Sequence, residues 1–268
     1  MRAVLLGLLA ETFIHPGTGR STGFVDHPVA REAVTDYPVI VGSSVKGALR
    51  DVLRSRGEEG VEGKLFGGRD RAGEWLISDA RLLLLPVRSL TGSFCWLTCP
   101  HLLERYWRDS NRIGRQVSFV IPQVNRTQAL ASSKGPLFLE EREFTVGGAI
   151  EQAIVKEIGE LIPHEVTRSR LAERLVVISD EDFAWFARFG LPVQARNALN
   201  EATKTSFRLW YEESIPPEAL FYALVVGRTS APAEVLAKVF SQEKRYLQLG
   251  GHETIGQGWF SVRLLTVE

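Results

Sequence analysis

The sequence predicts an α+β fold built on a ferredoxin-like unit. Three observations point there. An apolar run at Val4–Phe13 opens the chain and another at Phe260–Val267 closes it. At each end the order reads strand, helix, strand, as in a split β-α-β arrangement. The middle third carries several more elements and reads as an insertion that includes a β-hairpin. One domain is expected, with its core at about residues 1–90 and 215–268 and an inserted region at about 91–214. A chain of 268 residues, 44% hydrophobic and 24% charged, has ordinary globular composition.

The elements follow in order. Val4–Phe13 is apolar at nearly every position, as in a strand covered on both faces. HPGTGRSTGFVDHP, from His15 to Pro28, is a glycine-rich polar loop. Tyr37–Val41 is extended, because a residue preceding proline avoids the helical region. GSSVKGALRDVLRSRG is a helix with Ser43 or Ser44 as cap and Gly57 as stop. Its apolar stripe is Val45, Ala48, Leu49, Val52 and Leu53, and Arg50, Arg54 and Arg56 take outer positions. Glu58–Gly73 reads as a charged loop, Leu76–Val87 as one strong strand and Ser93–Thr98 as another. Pro100 starts a short helix.

Between Arg105 and Arg126 there are five arginines and one acid, Asp109, read as a basic irregular region. A solvated surface loop and an anion site both fit these residues. A helix around Gly148–Leu161, a strand at Leu175–Ile178 and a helix at Asp180–Phe189 follow, the last with the capping pair Ser179 and Asp182. Val193–Tyr211 reads as a hairpin, with Arg196–Asn197 and Asn200–Lys204 supplying turn residues. Leu220–Val226 is a strand and Pro232–Phe240 a helix. GGHETIGQG forms a second glycine-rich loop before the final strand.

Several function classes are disfavoured. No stretch approaches the roughly 18 apolar residues of a membrane span. MRAVLLGLLAETF lacks a cleavage signature, so it reads as a buried strand and the chain as cytoplasmic. Cys95 and Cys99 are too few for a structural zinc site unless His101 and a fourth group join them, and they read as buried thiols. Net charge is zero, with 32 basic and 32 acidic residues. That argues against an all-over coat of nucleic acid but permits a local groove.

The loops offer two chemical readings. Neither matches a nucleotide fingerprint: the third glycine is missing at Thr22, and the glycine–lysine order at Gly47 and Lys46 is reversed. Ser43, Ser44 and Lys46 at a helix start suit a phosphate, or simply cap the helix. Asp26 is well suited as an oxygen ligand to Mg²⁺ or Mn²⁺. A turn-forming aspartate before Pro28 explains the same residue. His15 is a candidate proton carrier. The aromatic-acid cluster Trp210–Glu213 reads as a stacking platform, a subunit contact or a packed strand end.

Taken together, five blocks resemble the RAMP proteins of type III CRISPR complexes, most of all the repeated backbone subunit of the type III-B (Cmr) branch. They are HPGTGRSTGFVDHPVAREAVTDYPVIVGSSVKGALRD, SDARLLLLPVRSL, LVVISDEDF, LWYEESIPPEALF and GGHETIGQGW. LWYEE with the following PPE favours Cmr over the equivalent type III-A (Csm) subunit. The chain departs from the family at Asp36 and Val41, where glycine and proline are frequent.

The resemblance implies a ferredoxin-like RAMP core with a hairpin thumb. It also implies a filament of copies along a CRISPR guide RNA, together with other Cmr subunits. Paired target RNA would be cut at regular intervals with a divalent metal. Asp26 would be catalytic and hold Mg²⁺ or Mn²⁺, with His15 assisting. Gly17, Gly19, Ser43, Ser44, Lys46, Arg50, Gly250, Gly251, Gly256 and Gly258 would contact RNA. A non-catalytic RNA-binding scaffold and a metal-free transcript-processing RAMP nuclease are the alternatives.

Overall fold

The computed structural model describes residues 2–56, 60–228, 232–241 and 243–266. Gly57 and Val267, expected to end a helix and a strand, lie outside the described residues. The first strand, β1 (Arg2–Ala10), is followed by β2 (Val39–Ile40), helix α1 (Gly42–Ser55) and a short helix α2 (Val61–Phe66). Next come β3 (Trp75–Ile77), β4 (Ala80–Arg88), β5 (Phe94–Thr98) and α3 (Pro100–Arg112). The middle continues with β6 (Gln128–Leu130), β7 (Pro136–Leu139), β8 (Arg142–Gly148), α4 (Gln152–Glu160), α5 (Glu165–Ser169) and α6 (Leu171–Arg174). Then follow β9 (Leu175–Ile178), α7 (Asp180–Phe189), and the hairpin of β10 (Val193–Leu199) with β11 (Ser206–Glu213). β12 (Leu220–Gly227), α8 (Pro232–Val239), β13 (Tyr246–Gln248) and β14 (Trp259–Thr266) complete the chain.

The strands β4, β12, β1 and β14 lie side by side and antiparallel, with α1 and α8 as crossovers. This is the ferredoxin-like core. Five strands extend this into one twelve-stranded sheet beyond β4, in the order β5, β9, β6, β8, β7, while β13 lies outside β14 at the other edge and β2 and β3 pair with β4 and β12. β10 and β11 stand apart as a two-stranded hairpin. Val4, Leu5, Leu6 and Leu8 of β1 are fully buried, which explains why that strand shows no alternation.

Several expectations are corrected. The single strand at Leu76–Val87 is broken at Ser78–Asp79, because Asp79 turns away to cap α1. Its Oδ1 accepts the Gly42 amide at 2.6 Å. Neither Ser43 nor Ser44 caps that helix. Residues 61–66, expected in a loop, form α2. The basic stretch is only partly irregular: α3 runs to Arg112, and residues 113–127, with Arg115 and Arg126, form no helix or strand. Its charges are largely paired: Arg105 with Glu32 at 2.6 Å, Arg115 with Glu157 at 2.8 Å. Arg196 and Asn197 sit within β10, and the turn is made by residues 200–204. Helix α7 does start with Ser179 accepting the Asp182 amide. Cys99 is fully buried, and burial pushes its thiol pKa up, so it packs as an inert side chain.

Gly7 of β1 packs against the chain just past α4. A Cβ there would overlap the backbone of Leu161 at the end of α4. Gly7→Ala is expected to cost roughly 1–3 kcal/mol, seen as a fall of several degrees in a thermal melt. Gly63→Ala, whose Cβ would meet nothing within 4 Å, is the matched control.

Candidate RNA-cleavage and RNA-binding site

Three chain segments converge at one end of the core. They are the polar loop after β1, the base of the hairpin, and the loop between β13 and β14. The two glycine-rich loops touch directly: the Gly251 amide donates to the His15 carbonyl at 3.0 Å, and the Gly258 amide to the Phe13 carbonyl at 2.9 Å. Gly250 has φ +93°, and a Cβ there would lie 2.9 Å from the His15 oxygen. Gly258, with φ +88°, would collide with Leu249 in the same way. These two glycines are therefore explained by packing of the chain on itself. Gly19 and Gly256 also have positive φ but face open space.

Asp26 is half-buried beside the hairpin. Its Oδ2 accepts the Tyr211 backbone amide at 2.9 Å, and its carbonyl accepts the Ser21 amide at 2.8 Å. The next residues run along β11: the His27 amide donates to Tyr211 O at 3.1 Å, and the Glu213 amide to His27 O at 3.0 Å. Glu213 then fastens the loop with its side chain. Its Oε1 receives Arg31 at 2.6 Å and its Oε2 the Val29 amide at 3.1 Å. Arg31 also donates to the carbonyls of Asp36 and Ala187, tying the loop to the end of α7.

His15 is buried, with Nδ1 2.8 Å from the Glu213 carbonyl oxygen. A carbonyl only accepts, so Nδ1 is the donor in this bond. Nε2 faces Gly17, where a Cβ would come within 2.7 Å. The His15 ring lies 5.1 Å from that of His252. His252 in turn sits 3.2 Å from Glu212, which also receives Arg196 at 3.0 Å and the Trp210 indole at 2.6 Å. Burial drives the Glu212 pKa upward, but these donors outweigh it and hold the carboxyl below its usual range. Burial lowers the His252 pKa, and His15, Arg196 and His27 reinforce this against Glu212.

Among the described residues no group of three or more His, Cys, Asp or Glu side chains could hold a metal. The donor set at Asp26 fits a divalent ion only if substrate supplies further oxygens. Mg²⁺ is commonly bound that way, through one or two carboxylates plus phosphates and waters.

Ser43, Ser44 and Lys46 are exposed on the first turns of α1. Arg50 is not: its guanidinium donates to the Gly67 carbonyl and lies over the Phe66 ring. Its expected place in an RNA-facing row gives way to a bond that pins α2 against α1. Arg54 pairs with Glu62, and Arg56 donates to backbone carbonyls, so the outer face of α1 is knitted to its neighbours. The residues missed by sequence reasoning are Arg31, Arg196, Glu213 and His252. Adjacent acids Glu212 and Glu213 at a strand end were the available signal.

A model of the RAMP superfamily matches residues 8–261. The CRISPR system Cmr endoribonuclease Cmr4 of Pyrococcus furiosus is 34% identical over 291 aligned residues, covering 100% of this chain and 97% of that protein. The crystal structure of oligomeric Cmr4 from the same organism superposes with a TM-score of 0.78 at 29% identity, covering 100% and 99% of the two chains. A cryo-EM structure of type III-B Cmr-beta bound to cognate target RNA shares the fold. Its TM-score is 0.80 at 22% identity, with 98% of this chain and 96% of that one covered.

Proposed function

The chain belongs to the RAMP superfamily, and on that premise we propose that it is a backbone subunit of a type III-B CRISPR (Cmr) effector complex. In this reading it holds guide RNA, stacks with copies of itself and with other Cmr subunits, and acts as an endoribonuclease on the paired target. The full-length likeness to a Cmr endoribonuclease supports the activity. A structure described as oligomeric supports stacking. Among the described residues no helix is long and apolar enough to cross a membrane.

The observation that carries the catalytic assignment is the anchoring of Asp26 by the Tyr211 amide at the hairpin base. One carboxylate oxygen is used to fix the side chain, so the group is held ready instead of sampling solvent. Asp26 would hold a divalent ion, which would supply charge neutralisation as phosphorus is attacked. Asp26 and Glu213 then act on geometry, holding the loop so that the target 2′-oxygen and the departing 5′-oxygen line up at phosphorus. His15 serves by position, since its packed ring and its bond to Glu213 hold the loop start against the hairpin.

Guide contact falls to the exposed start of α1, Ser43, Ser44 and Lys46, with Gly17, Gly19, Gly251 and Gly256 bringing backbone close. Contacts of this kind position a strand without reading its sequence, which is left to base pairing. Lys46→Ala is expected to weaken RNA binding at all sequences and to lower the salt slope by about one, measured by titration at several ionic strengths. The catalytic reading is tested by Asp26→Ala in a complex assembled with guide and target. Loss of the periodic cuts with RNA binding kept supports it, and persistence of the cuts overturns it. Chelation with EDTA should abolish cutting, and Mg²⁺ or Mn²⁺ should restore it.

A further inference from the structure

When the 2′-oxygen of the target attacks phosphorus, a base has to take up its hydroxyl proton. Histidine is suited to this at neutral pH, and the chain has five: His15, His27, His101, His164 and His252. His15 is closed off, since the ring is buried, its Nδ1 bonds to the Glu213 carbonyl and its Nε2 faces Gly17. His164 is paired with Glu11 at 2.6 Å, and the His101 ring packs 6.1 Å from that of Tyr37. The His27 ring has no hydrogen bond or ion pair among the described residues to orient it.

His252 differs from all four. It lies between β13 and β14 with φ +64°, a left-handed conformation that glycine adopts at no steric cost, so the fold of the loop does not require an imidazole there. Its side chain is 31% exposed, and its Nε2 stands 3.2 Å from Glu212 Oε2. Glu212 is itself fixed by the Trp210 indole at 2.6 Å and by Arg196 at 3.0 Å, which keep it ionised. A carboxylate at that distance draws the ring proton to Nε2 and leaves the lone pair on Nδ1, which has no hydrogen-bond partner among the described residues. Burial keeps the ring neutral at neutral pH, and His15, Arg196 and His27 add to this against Glu212. The ring also stands beside the loop of Asp26. Asp26 accepts the Tyr211 amide, the next residue of β11 is Glu212, and His27 bridges to Glu212. Asp26 and His252 therefore address consecutive residues at the hairpin base.

Resting on the cleavage reading above, we propose that His252 is a catalytic residue of the endoribonuclease, its Nδ1 removing the proton of the target 2′-hydroxyl while Glu212 orients the ring. The 2′-oxygen then bonds to phosphorus. The bond from phosphorus to the 5′-oxygen breaks, its electron pair leaves with that oxygen, and the oxygen takes a proton from water. The products are a 2′,3′-cyclic phosphate and a 5′-hydroxyl, and the proton on His252 returns to solvent through its exposed edge. Asp26 and His252 thereby divide the reaction between charge at the phosphate and proton transfer at the nucleophile.

The test is single-turnover cutting by the complex assembled with guide and target, followed across pH. In the unsubstituted complex the rate should rise with pH through the acid range and level off at neutrality, as the ring loses its proton. His252→Gly, which suits the left-handed backbone, should bind target and melt as before, cut at least about a hundredfold more slowly and lose that acid limb. Imidazole added to the buffer should restore its rate in proportion to the unprotonated imidazole present. Glu212→Gln should move the limb to lower pH, because the carboxylate that raises the pKa of the ring is gone. Cutting by His252→Gly within about threefold of the original rate overturns the proposal. So does slow cutting that keeps the acid limb and ignores imidazole, which makes the residue merely structural, and so does loss of the limb in His27→Ala instead. Asp26→Asn separates the two readings. If it cuts at the original rate, the cleavage reading fails and the role of His252 with it; if it is slow while His252→Gly is not, only the role of His252 fails.

Discussion

Complexes carrying Asp26→Asn are expected to bind guide and target RNA normally and to cut target at least about a hundredfold more slowly. Asparagine has nearly the shape of aspartate, and its side-chain oxygen can still accept the Tyr211 amide, now at 2.9 Å from Oδ2. The loop therefore stays on the hairpin, and what is lost is one negative charge at the proposed catalytic position. Single-turnover cleavage at saturating target, with a thermal melt on the same preparation, separates the two effects. An unchanged melting temperature with slowed cutting assigns the loss to charge. Cutting at the original rate would place the reaction elsewhere. Asp26→Ala differs usefully, since it removes the anchor along with the charge.

Glu213→Ala should have the largest effect on stability. The Arg31–Glu213 pair is mostly buried, with side-chain exposures of 16% and 9%. Removing the carboxylate strands a buried guanidinium and the Val29 amide together. Breaking such a pair costs about 3–5 kcal/mol, which for a chain of this size lowers the melting temperature by about 10 °C. Arg31 keeps its bonds to the Asp36 and Ala187 carbonyls, so the loss concentrates on the loop between residues 26 and 31. Cleavage should fall with stability, because that loop carries Asp26. Replacing both partners by leucine should be milder than either single replacement, since no lone charge remains buried. A melting temperature within a degree of the original in Glu213→Ala would refute the anchoring role.

Legibility in the sequence followed contiguity. β1 and α1 were readable because each carries its own pattern, an unbroken apolar run and a stripe at helical spacing. The hairpin was readable from its turn residues. β6 escaped notice because it is short and takes its partners, β8 in parallel and β9, from further along the chain, and the β7–β8 hairpin did so because its turn is made by Glu140 and Glu141 instead of the usual turn residues. α2 was hidden among glycines and charges. The break at Ser78–Asp79 was invisible within a strong apolar run, since its cause is the Gly42 amide, far along the chain. For Arg50 a charged outer position suggested solvent, but the end of α2 lies there instead.

By itself the sequence determined the ferredoxin-like order of elements and, through its motif blocks, the family; the catalytic role proposed for Asp26 rests on the same blocks. These are properties of residue order and type, which a linear reading preserves. Only the tertiary structure decided what holds Asp26 in place and which charges are free. The reason is physical: the anchor is a backbone amide from the hairpin, and a backbone amide has no letter in the sequence. The same applies to the arginines of α1 and α3. Their charge is written in the chain, but whether it meets RNA or a carbonyl depends on which segment folds against it.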